Sequence, residues 1–346
     1  MKHIFFVITF GSIYDRVLPL IEEKKGEGEI IVVAATEQIE LFFKNYTDFK
    51  VIRTKLHPNL ITRKTKHKIL SNIIRSKLEF RKLFKDIENS KIYFCNTGYA
   101  VVIYSHIKKL SKRNKVIFYG YQMKEGKNAT IKYPIEHSMR AFALRWTARW
   151  LLGIETDIRC KLGFPIWDLS GKFFEDVEIL ENYIGNKKLL DKYMKRLDVL
   201  KGKKILIAIN DAITSGFIEE TEFISKMDSL TEILNDITPG EYVIKPHPRL
   251  NKLYGKMSEC NEIIPPYIPL EFVLRHDWKK VIGIDSGSLV SSVKYTNAEV
   301  ISLIDAVEYR DKELKKMLRH HLEKNSQNKI KFLGKIEELK QILKRK

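Results

Sequence analysis

The sequence has 346 residues, of which 44% are hydrophobic and 30% are charged. That hydrophobic fraction is typical of a folded protein and excludes extensive disorder, and the length predicts two domains. The 62 Lys and Arg residues outnumber the 43 Asp and Glu residues, giving a net charge of +19. A field of this sign favours an anionic partner: nucleic acid, a nucleotide, an acidic glycan or an anionic membrane surface.

The three cysteines, Cys95, Cys160 and Cys260, lie far apart and show no metal-binding spacing. We therefore expect a reducing compartment, the cytoplasm, and no structural zinc. The opening residues lead directly into strand-like sequence without a small-residue cleavage site. No stretch approaches the ~20 apolar residues that a membrane-spanning helix needs, so the sequence predicts a soluble or peripheral protein.

In the first half of the chain, apolar β-branched runs alternate with helix-length segments, a pattern typical of parallel sheets covered by helices. A further helix is predicted at 134–152, where arginines alternate with tryptophans. It either packs on the first domain or faces a membrane or acceptor. The predicted strands are 4–10, 30–35, 50–55, 91–95 and 115–120, and the predicted helices between them are 14–23, 37–45, 66–87 and 100–111.

The strand rhythm resumes in the second half, after a charged stretch. Residues 312–346 are strongly basic and predict two closing helices, either solvated or held near an anionic leaflet. We expect a first domain at 1–165, a linker at 166–203 and a second α/β domain, which includes the basic closing helices, at 204–346. The predicted strands of the second half are 204–209, 241–246, 280–285 and 299–304.

The fold class predicted from this pattern is α/β, with two tandem Rossmann-like, doubly wound domains facing a central cleft. Ligands of open α/β sheets bind at the carboxyl ends of the strands, so residues that follow strands are the candidates for chemistry. One predicted strand ends in Lys245, and Pro246 and Pro248 then restrict the backbone on both sides of His247. An imidazole held there, beside Arg249, is suited to a departing phosphate or to capping a turn.

The second candidate is the stretch VIGIDSGSLVSSVKY, in which a strand passes through Gly283 into a helix. Ser286, Gly287 and Ser288 fall at the predicted N-terminus of that helix, where free backbone N–H groups and the helix dipole bind anions. Serine is also an ordinary N-cap residue. This pattern predicts either a phosphate site or a plain helix cap.

The third candidate is Glu125, in the stretch IFYGYQMKEGKNAT after a predicted strand of the first domain. A carboxylate in the cleft could take a proton from an acceptor hydroxyl. An exposed loop glutamate is the alternative.

Together these three stretches resemble the bacterial sialyltransferases of GT-B fold, the group of polysialyltransferases and lipooligosaccharide sialyltransferases. That group shares an acidic-acidic-glycine motif, a His-Pro motif and a serine pair, and residues 263–274 also resemble its segment between the last two motifs. Two departures stand out: Lys124 replaces the first acidic residue, and Gly287 separates the serines.

The resemblance implies an inverting transfer of sialic acid, or a related nonulosonic acid, from a CMP-sugar to a hydroxyl of a capsule or lipooligosaccharide glycan. It implies no cofactor and no metal in the chemical step, an acceptor-side first domain and a nucleotide-sugar-binding second domain. Glu125 is then the general base, His247 contacts or protonates the leaving phosphate, Ser286 and Ser288 hold that phosphate, and Glu271 reaches the ribose. The full set of predicted donor-binding residues is Lys245, Pro248, Arg249, Glu271, Gly283, Ser286, Gly287 and Ser288.

Two other enzyme classes share part of this pattern: CMP-Kdo transferases, and CDP-glycerol glycerophosphotransferases, whose Asp-x-Ser-Ser stretch IDSGS partly matches. A non-enzymatic polyanion-binding protein would also explain the charge. The sequence has no aromatic-basic RNA signature and no helix-turn-helix pattern, so we expect no nucleic-acid partner. The expected partners are the CMP-sugar, a glycan acceptor that can itself be anionic, and an anionic membrane. We expect the protein to be peripheral, at the inner face of the plasma membrane.

Overall fold

The computed structural model describes residues 1–8, 10–54, 69–94, 107, 109–119, 177–180, 183, 185–194, 197–250, 253–260 and 262–344. The chain divides into two compact units, Met1–Leu190 and Asp191–Lys346. The predicted helix at 134–152 and the predicted base Glu125 lie outside the described residues.

The described strands of the first unit form a parallel sheet in the order β3-β2-β1-β4-β5-β6. This is the strand order of the Rossmann fold. The last strand falls at 177–179, where the sequence predicted no strand, and it pairs with β5. The strands are β1 (Lys2–Val7), β2 (Glu29–Ala34), β3 (Lys50–Arg53), β4 (Lys91–Phe94), β5 (Lys115–Phe118) and β6 (Val177–Ile179).

Helices between these strands cover the sheet, so the central strands are buried almost continuously rather than in alternation. Ile4, Phe6 and Val33 are each at most 1% exposed. Thr36 begins the second helix, because its hydroxyl accepts a hydrogen bond from the backbone N–H of Ile39 at 3.3 Å. The helices are α1 (Leu18–Lys24), α2 (Glu37–Tyr46) and α3 (Ile69–Phe84).

The second unit has a parallel sheet in the order β11-β10-β9-β7-β8. Counted from β7, this is the flavodoxin-like order 2-1-3-4-5, whose switch point lies between β7 and β9. The strands are β7 (Ile205–Ala208), β8 (Tyr242–Lys245), β9 (Lys280–Gly283), β10 (Glu299–Ser302) and β11 (Ile330–Phe332). The helices are α4 (Asp191–Met194), α5 (Glu220–Ile237), α6 (Leu270–Val273), α7 (Gly287–Tyr295), α8 (Lys312–Ser326) and α9 (Leu339–Lys344).

The basic carboxyl-terminal stretch differs from the predicted pair of helices, because it also contains the strand β11. Helix α8 begins after Asp311, whose carboxylate caps two backbone N–H groups, and ends where Gln327 and Asn328 take left-handed φ values of 54° and 59°. Three residues then pair with β10. A strand this short is defined by its neighbour in the sheet, and its own sequence carries too little periodicity to predict it.

The α/β, doubly wound character predicted for both halves of the chain is thus confirmed by the sheet orders and the parallel pairings. Among the helices that the structure describes, none combines the length and the apolar character needed to cross a bilayer.

Candidate functional site

The candidate site lies at the carboxyl edge of the second sheet, where the adjacent strands β9, β7 and β8 end. The loops that follow these strands begin at Ile284, Ile209 and Pro246. Two of the loops flank the switch point between β7 and β9, the place where open α/β sheets bind their ligands. The sequence-predicted His-Pro and serine motifs both fall on this edge.

The loop after β8 holds His247 in a tight turn. The N–H of Leu250 donates to the carbonyl of His247 at 2.9 Å, and Pro248 occupies the second position of this turn, where proline is favoured. The imidazole keeps about a third of its surface exposed, at 31%. A side chain in this turn has few backbone conformations open to it, because the prolines on both sides restrict φ.

The tautomer of His247 follows from its contacts. The backbone N–H of Arg249 donates to Nδ1 at 3.1 Å, so Nδ1 is unprotonated and the neutral ring carries its hydrogen on Nε2. Burial lowers the pKa of His247; the charge of Asp211 opposes this shift, and Arg249 and Lys245 add to it. The Nε2–H of a neutral imidazole can donate a hydrogen bond to an anion.

Lys245 is turned inward, with only 4% of its surface exposed. Its ammonium donates to the carbonyls of Pro246 at 2.7 Å and Pro266 at 3.2 Å. Burial lowers the pKa of Lys245 to about 7, and the nearby Glu271, in α6, opposes the shift. Lys245 therefore ties the His-Pro loop to the 263–274 segment, and its predicted contact with a donor stays a prediction, as does that of Glu271.

The serine turn begins helix α7. Ser286 is the N-cap: its Oγ accepts from the backbone N–H of Ser288 at 3.2 Å, and the two serine hydroxyls hydrogen-bond to each other. Gly287, between them, is exposed. The two hydroxyls and the amino end of α7 are grouped as an anion site requires.

Gly283, the last residue of β9, is required by close packing. A Cβ at this position would lie 2.9 Å from the carbonyl oxygen of Ala208 and 3.2 Å from Cδ2 of Leu289. The missing side chain therefore lets α7 start close against the sheet, a role that glycine also has in dinucleotide-binding turns. Gly283 positions the serine turn, and direct contact with a donor stays a prediction.

Asp211, which follows β7, is a residue that the sequence analysis missed. Its Oδ2 lies 3.1 Å from Nη1 of Arg249 and 3.9 Å from Nδ1 of His247. The signal was present, because an aspartate two residues beyond the predicted strand 204–209 obeys the rule that selected His247. Asp211 pairs with Arg249, in the His-Pro turn, and its carboxylate lies near the His247 imidazole.

Asp285, directly before the serine turn, was also missed. The hydroxyl of Tyr309 donates to its Oδ2 at 2.6 Å. Burial raises the pKa of Asp285 to about 6, the hydrogen bond from Tyr309 lowers it, and the charge of Asp211 raises it further. Asp211 is thus electrostatically linked both to His247 and to Asp285, so the three loop ends form one charged network.

The network contains three hydrogen-bond donors, which are the imidazole Nε2–H, the Arg249 guanidinium and the amino end of α7, and the two carboxylates of Asp211 and Asp285. Among the described residues, no group of three or more His, Cys, Asp and Glu side chains could hold a metal ion. The arrangement is suited to binding a phosphate and stabilising charge that develops on it.

Replacing Asp211 tests the network directly. In Asp211→Asn, we expect the pKa of His247 to fall below its wild-type value, because the variant removes the negative charge that opposes the effect of burial. The pKa is read from the imidazole NMR signals over a pH titration. Asp198→Asn, an exposed aspartate paired with Lys201, is the matched control, and an unchanged or higher His247 pKa in Asp211→Asn would contradict the linkage.

Comparison with known proteins supports the fold. No protein-family model and no curated protein sequence matches the chain. Among solved structures, the glycosyltransferase of kitacinnamycin is similar over 99% of this chain and 89% of its own, with a TM-score of 0.52 and 9% identity.

Two further structures have lower scores. The E. coli heptosyltransferase WaaC, solved with ADP-2-deoxy-2-fluoro heptose, covers 99% of both chains at 10% identity and a TM-score of 0.45. A protein from Listeria monocytogenes described as a UDP-N-acetylglucosamine 2-epimerase covers 99% of this chain and 86% of its own at 15% identity and a TM-score of 0.44. The two parallel sheets and the similarity to the kitacinnamycin glycosyltransferase give the chain the GT-B fold, as the sequence predicted.

Proposed function

We propose that this protein is a glycosyltransferase that uses a nucleotide-activated sugar, and that the sugar is a sialic acid or related nonulosonic acid carried on CMP. The observation that carries the proposal is the grouping of the His-Pro turn and the serine turn at the carboxyl edge of one sheet, linked through Asp211. The similarity to the kitacinnamycin glycosyltransferase adds support at the level of fold.

In the proposed reaction, the acceptor hydroxyl oxygen attacks the anomeric carbon from the face opposite the phosphate, and the bond from that carbon to the phosphate oxygen breaks with inversion. The electron pair of the broken bond stays on the phosphate, which leaves as CMP. The serine hydroxyls and the N–H groups of α7 bind the phosphate, and Nε2–H of His247 donates to the oxygen that gains charge. The hydroxyl proton passes to a carboxylate base, for which Glu125 is our proposal.

The sialyl donor, the capsule or lipooligosaccharide acceptor and the absence of a metal from the chemical step derive from the motif resemblance. So does the proposal that the protein works at the inner face of the plasma membrane. In this proposal the donor phosphate binds at the serine turn, so the described residues contact the nucleotide rather than the sugar. Binding measurements therefore have to decide among CMP-sialic acid, CMP-Kdo and CDP-glycerol as the donor.

The test is a thermal-shift and calorimetric comparison of CMP-Neu5Ac, CMP-Kdo and CDP-glycerol. We expect CMP-Neu5Ac to raise the melting temperature most, and the double variant Ser286→Ala, Ser288→Ala to lose about tenfold to hundredfold in affinity, because it removes hydrogen bonds to a charged group. Ser291→Ala, in the same helix, is the matched control. A shift with CMP-Kdo or CDP-glycerol alone would replace the sialyl donor, and no shift with any of the three would overturn the donor site.

A further inference from the structure

Helix α3, in the first unit, exposes two large apolar side chains one turn apart. Ile74 is 57% exposed and Leu78 is 61% exposed, and residues four positions apart lie on one face of a helix. Among the described residues, the other two exposed large apolar side chains, Met1 at 62% and Met317 at 39%, stand singly. A pair on one face is unlike the scattered surface apolar residues that are normal in soluble proteins.

The same face continues into positive charge. Arg81 follows Leu78 after three residues, and Lys85, one residue beyond the end of α3, follows Arg81 after four, so all four positions fall on one stripe with the helical period. Both basic side chains are exposed. The stripe therefore reads apolar, apolar, basic, basic toward the carboxyl end of α3.

The basic end of the stripe borders a cavity of about 460 Å³. Its floor is apolar, with Phe84, Ile87 and Leu110 each at most 8% exposed. Two local contacts hold parts of the rim: Arg113 pairs with Glu88 at 2.7 Å, and the Lys109 ammonium lies 5.9 Å from the centre of the Phe80 ring. The rim carries five cationic side chains: Arg81, Lys85, Lys109, Lys112 and Arg113.

The cavity lies at the amino edge of the first sheet. Residues 85–90 lead from α3 into β4, and residues 112–114 lead into β5. Ligands of doubly wound sheets bind at the opposite, carboxyl edge. An occupant of the cavity would therefore leave the carboxyl edge of this sheet free.

We propose that the α3 stripe and the adjoining cavity form a docking surface for an anionic lipid bilayer. The cationic rim takes lipid headgroup phosphates, and Ile74 and Leu78 enter the boundary between headgroups and acyl chains, as the apolar face of an interfacial helix does. A small soluble anion would satisfy the rim but would leave the apolar pair in water. The combination of both features on one stripe selects a bilayer, and it does not depend on the identity of the sugar donor.

Helix α8, in the basic stretch for which the sequence left open a solvated helix or a helix near an anionic leaflet, is a poorer candidate. Lys315 donates to the carbonyls of Asp305 and Val307, and Arg319 pairs with Asp305 and Glu323. These cations are committed to the protein itself. The helix therefore offers a natural comparison.

The test is sedimentation of the full chain with phosphatidylcholine vesicles, with and without phosphatidylglycerol. We expect binding to the anionic vesicles only. Each basic residue near such a surface strengthens binding about fivefold, so Arg81→Gln with Lys85→Gln should weaken it about 25-fold. The double variant Ile74→Ser, Leu78→Ser should weaken it by a similar factor, since each side chain buries several methylene or methyl groups. The matched control is Lys316→Gln with Lys324→Gln on α8.

Four outcomes would overturn the proposal. They are no binding to anionic vesicles, equal binding by the α3 variants and the wild type, loss of binding in the α8 control instead, and competition by inorganic phosphate that exceeds the competition by chloride at equal ionic strength. The last would identify the rim as a site for free phosphate. Light scattering is run in parallel, because a dimer that becomes monomeric in the Ile74→Ser, Leu78→Ser variant with vesicle binding unchanged would assign the stripe to self-association.

Discussion

His247→Ala is expected to lower kcat for sugar transfer by about 10²- to 10⁴-fold, the range typical of a lost acid, base or hydrogen-bond donor at a reacting group. The structure gives the reason. The turn at Pro248 and the N–H of Arg249 fix the ring with its hydrogen on Nε2, so the variant removes the donor that we propose for the developing charge. The fold should be unaffected, because His247 is partly exposed and the hydrogen bond from the Leu250 N–H to the His247 carbonyl does not need the ring.

The measurement is the steady-state rate of CMP release, with the melting temperature recorded for each variant. His320→Ala, an exposed histidine in α8, is the matched control and should leave the rate unchanged. A His247→Ala enzyme with full activity would remove the imidazole from the mechanism.

The pH profile separates the two roles open to His247. Burial lowers its pKa, so the ring is neutral at neutral pH. A phosphate monoester has a second pKa of about 6 and can leave without being protonated, so we expect hydrogen-bond donation and a kcat that does not fall as pH rises above the pKa of His247. A kcat that declines tenfold per pH unit above that pKa would instead assign proton transfer to the ring.

The stability of Asp285→Asn relative to the wild type is expected to be higher at neutral pH than at about pH 4. The pKa of Asp285 is raised from 3.8 to about 6, so the folded state holds the proton more tightly than the unfolded state does. The wild type therefore loses free energy of unfolding as pH rises from about 4 to about 6, by roughly 3 kcal/mol for a shift of this size. An asparagine does not titrate, and its amide oxygen can still accept from the Tyr309 hydroxyl.

Chemical unfolding of both proteins at the two pH values gives the difference directly. Asp198→Asn, a change at an exposed aspartate, should show no such pH dependence. An Asp285→Asn protein whose stability relative to the wild type is the same at both pH values would show that the carboxyl is not protonated more readily in the folded state. A gain of stability at neutral pH is consistent with the general finding that functional sites keep groups that do not favour folding.

The sequence predicted the sheets well where a strand carries a continuous apolar run. β1, β2 and β9 fall within or beside their predicted ranges, because burial on both faces of a parallel sheet demands that pattern. β6 and β11 were not predicted. Each has three residues and pairs on one side only, so its place depends on a neighbour distant in sequence.

The candidate site divides in the same way. The His-Pro and serine motifs could be placed from the sequence because each follows a strand. The contacts that organise them could not be predicted, because Arg249 meets Asp211 from 38 residues away and Tyr309 meets Asp285 from 24 residues away. The orientation of the Lys245 side chain could not be predicted either, since a lysine at a strand end can face a ligand or, as here, backbone carbonyls.

The central claim is sugar transfer from a CMP-activated donor, and acceptor-dependent release of CMP tests it most directly. The full chain is incubated with CMP-Neu5Ac and with galactosyl or sialyl acceptors, and both CMP and the glycosylated product are measured. We predict CMP release that requires an acceptor, matches the product in amount and is lost in His247→Ala. CMP release without an acceptor product, or no release from CMP-Neu5Ac, CMP-Kdo or CDP-glycerol with any acceptor, would contradict the account.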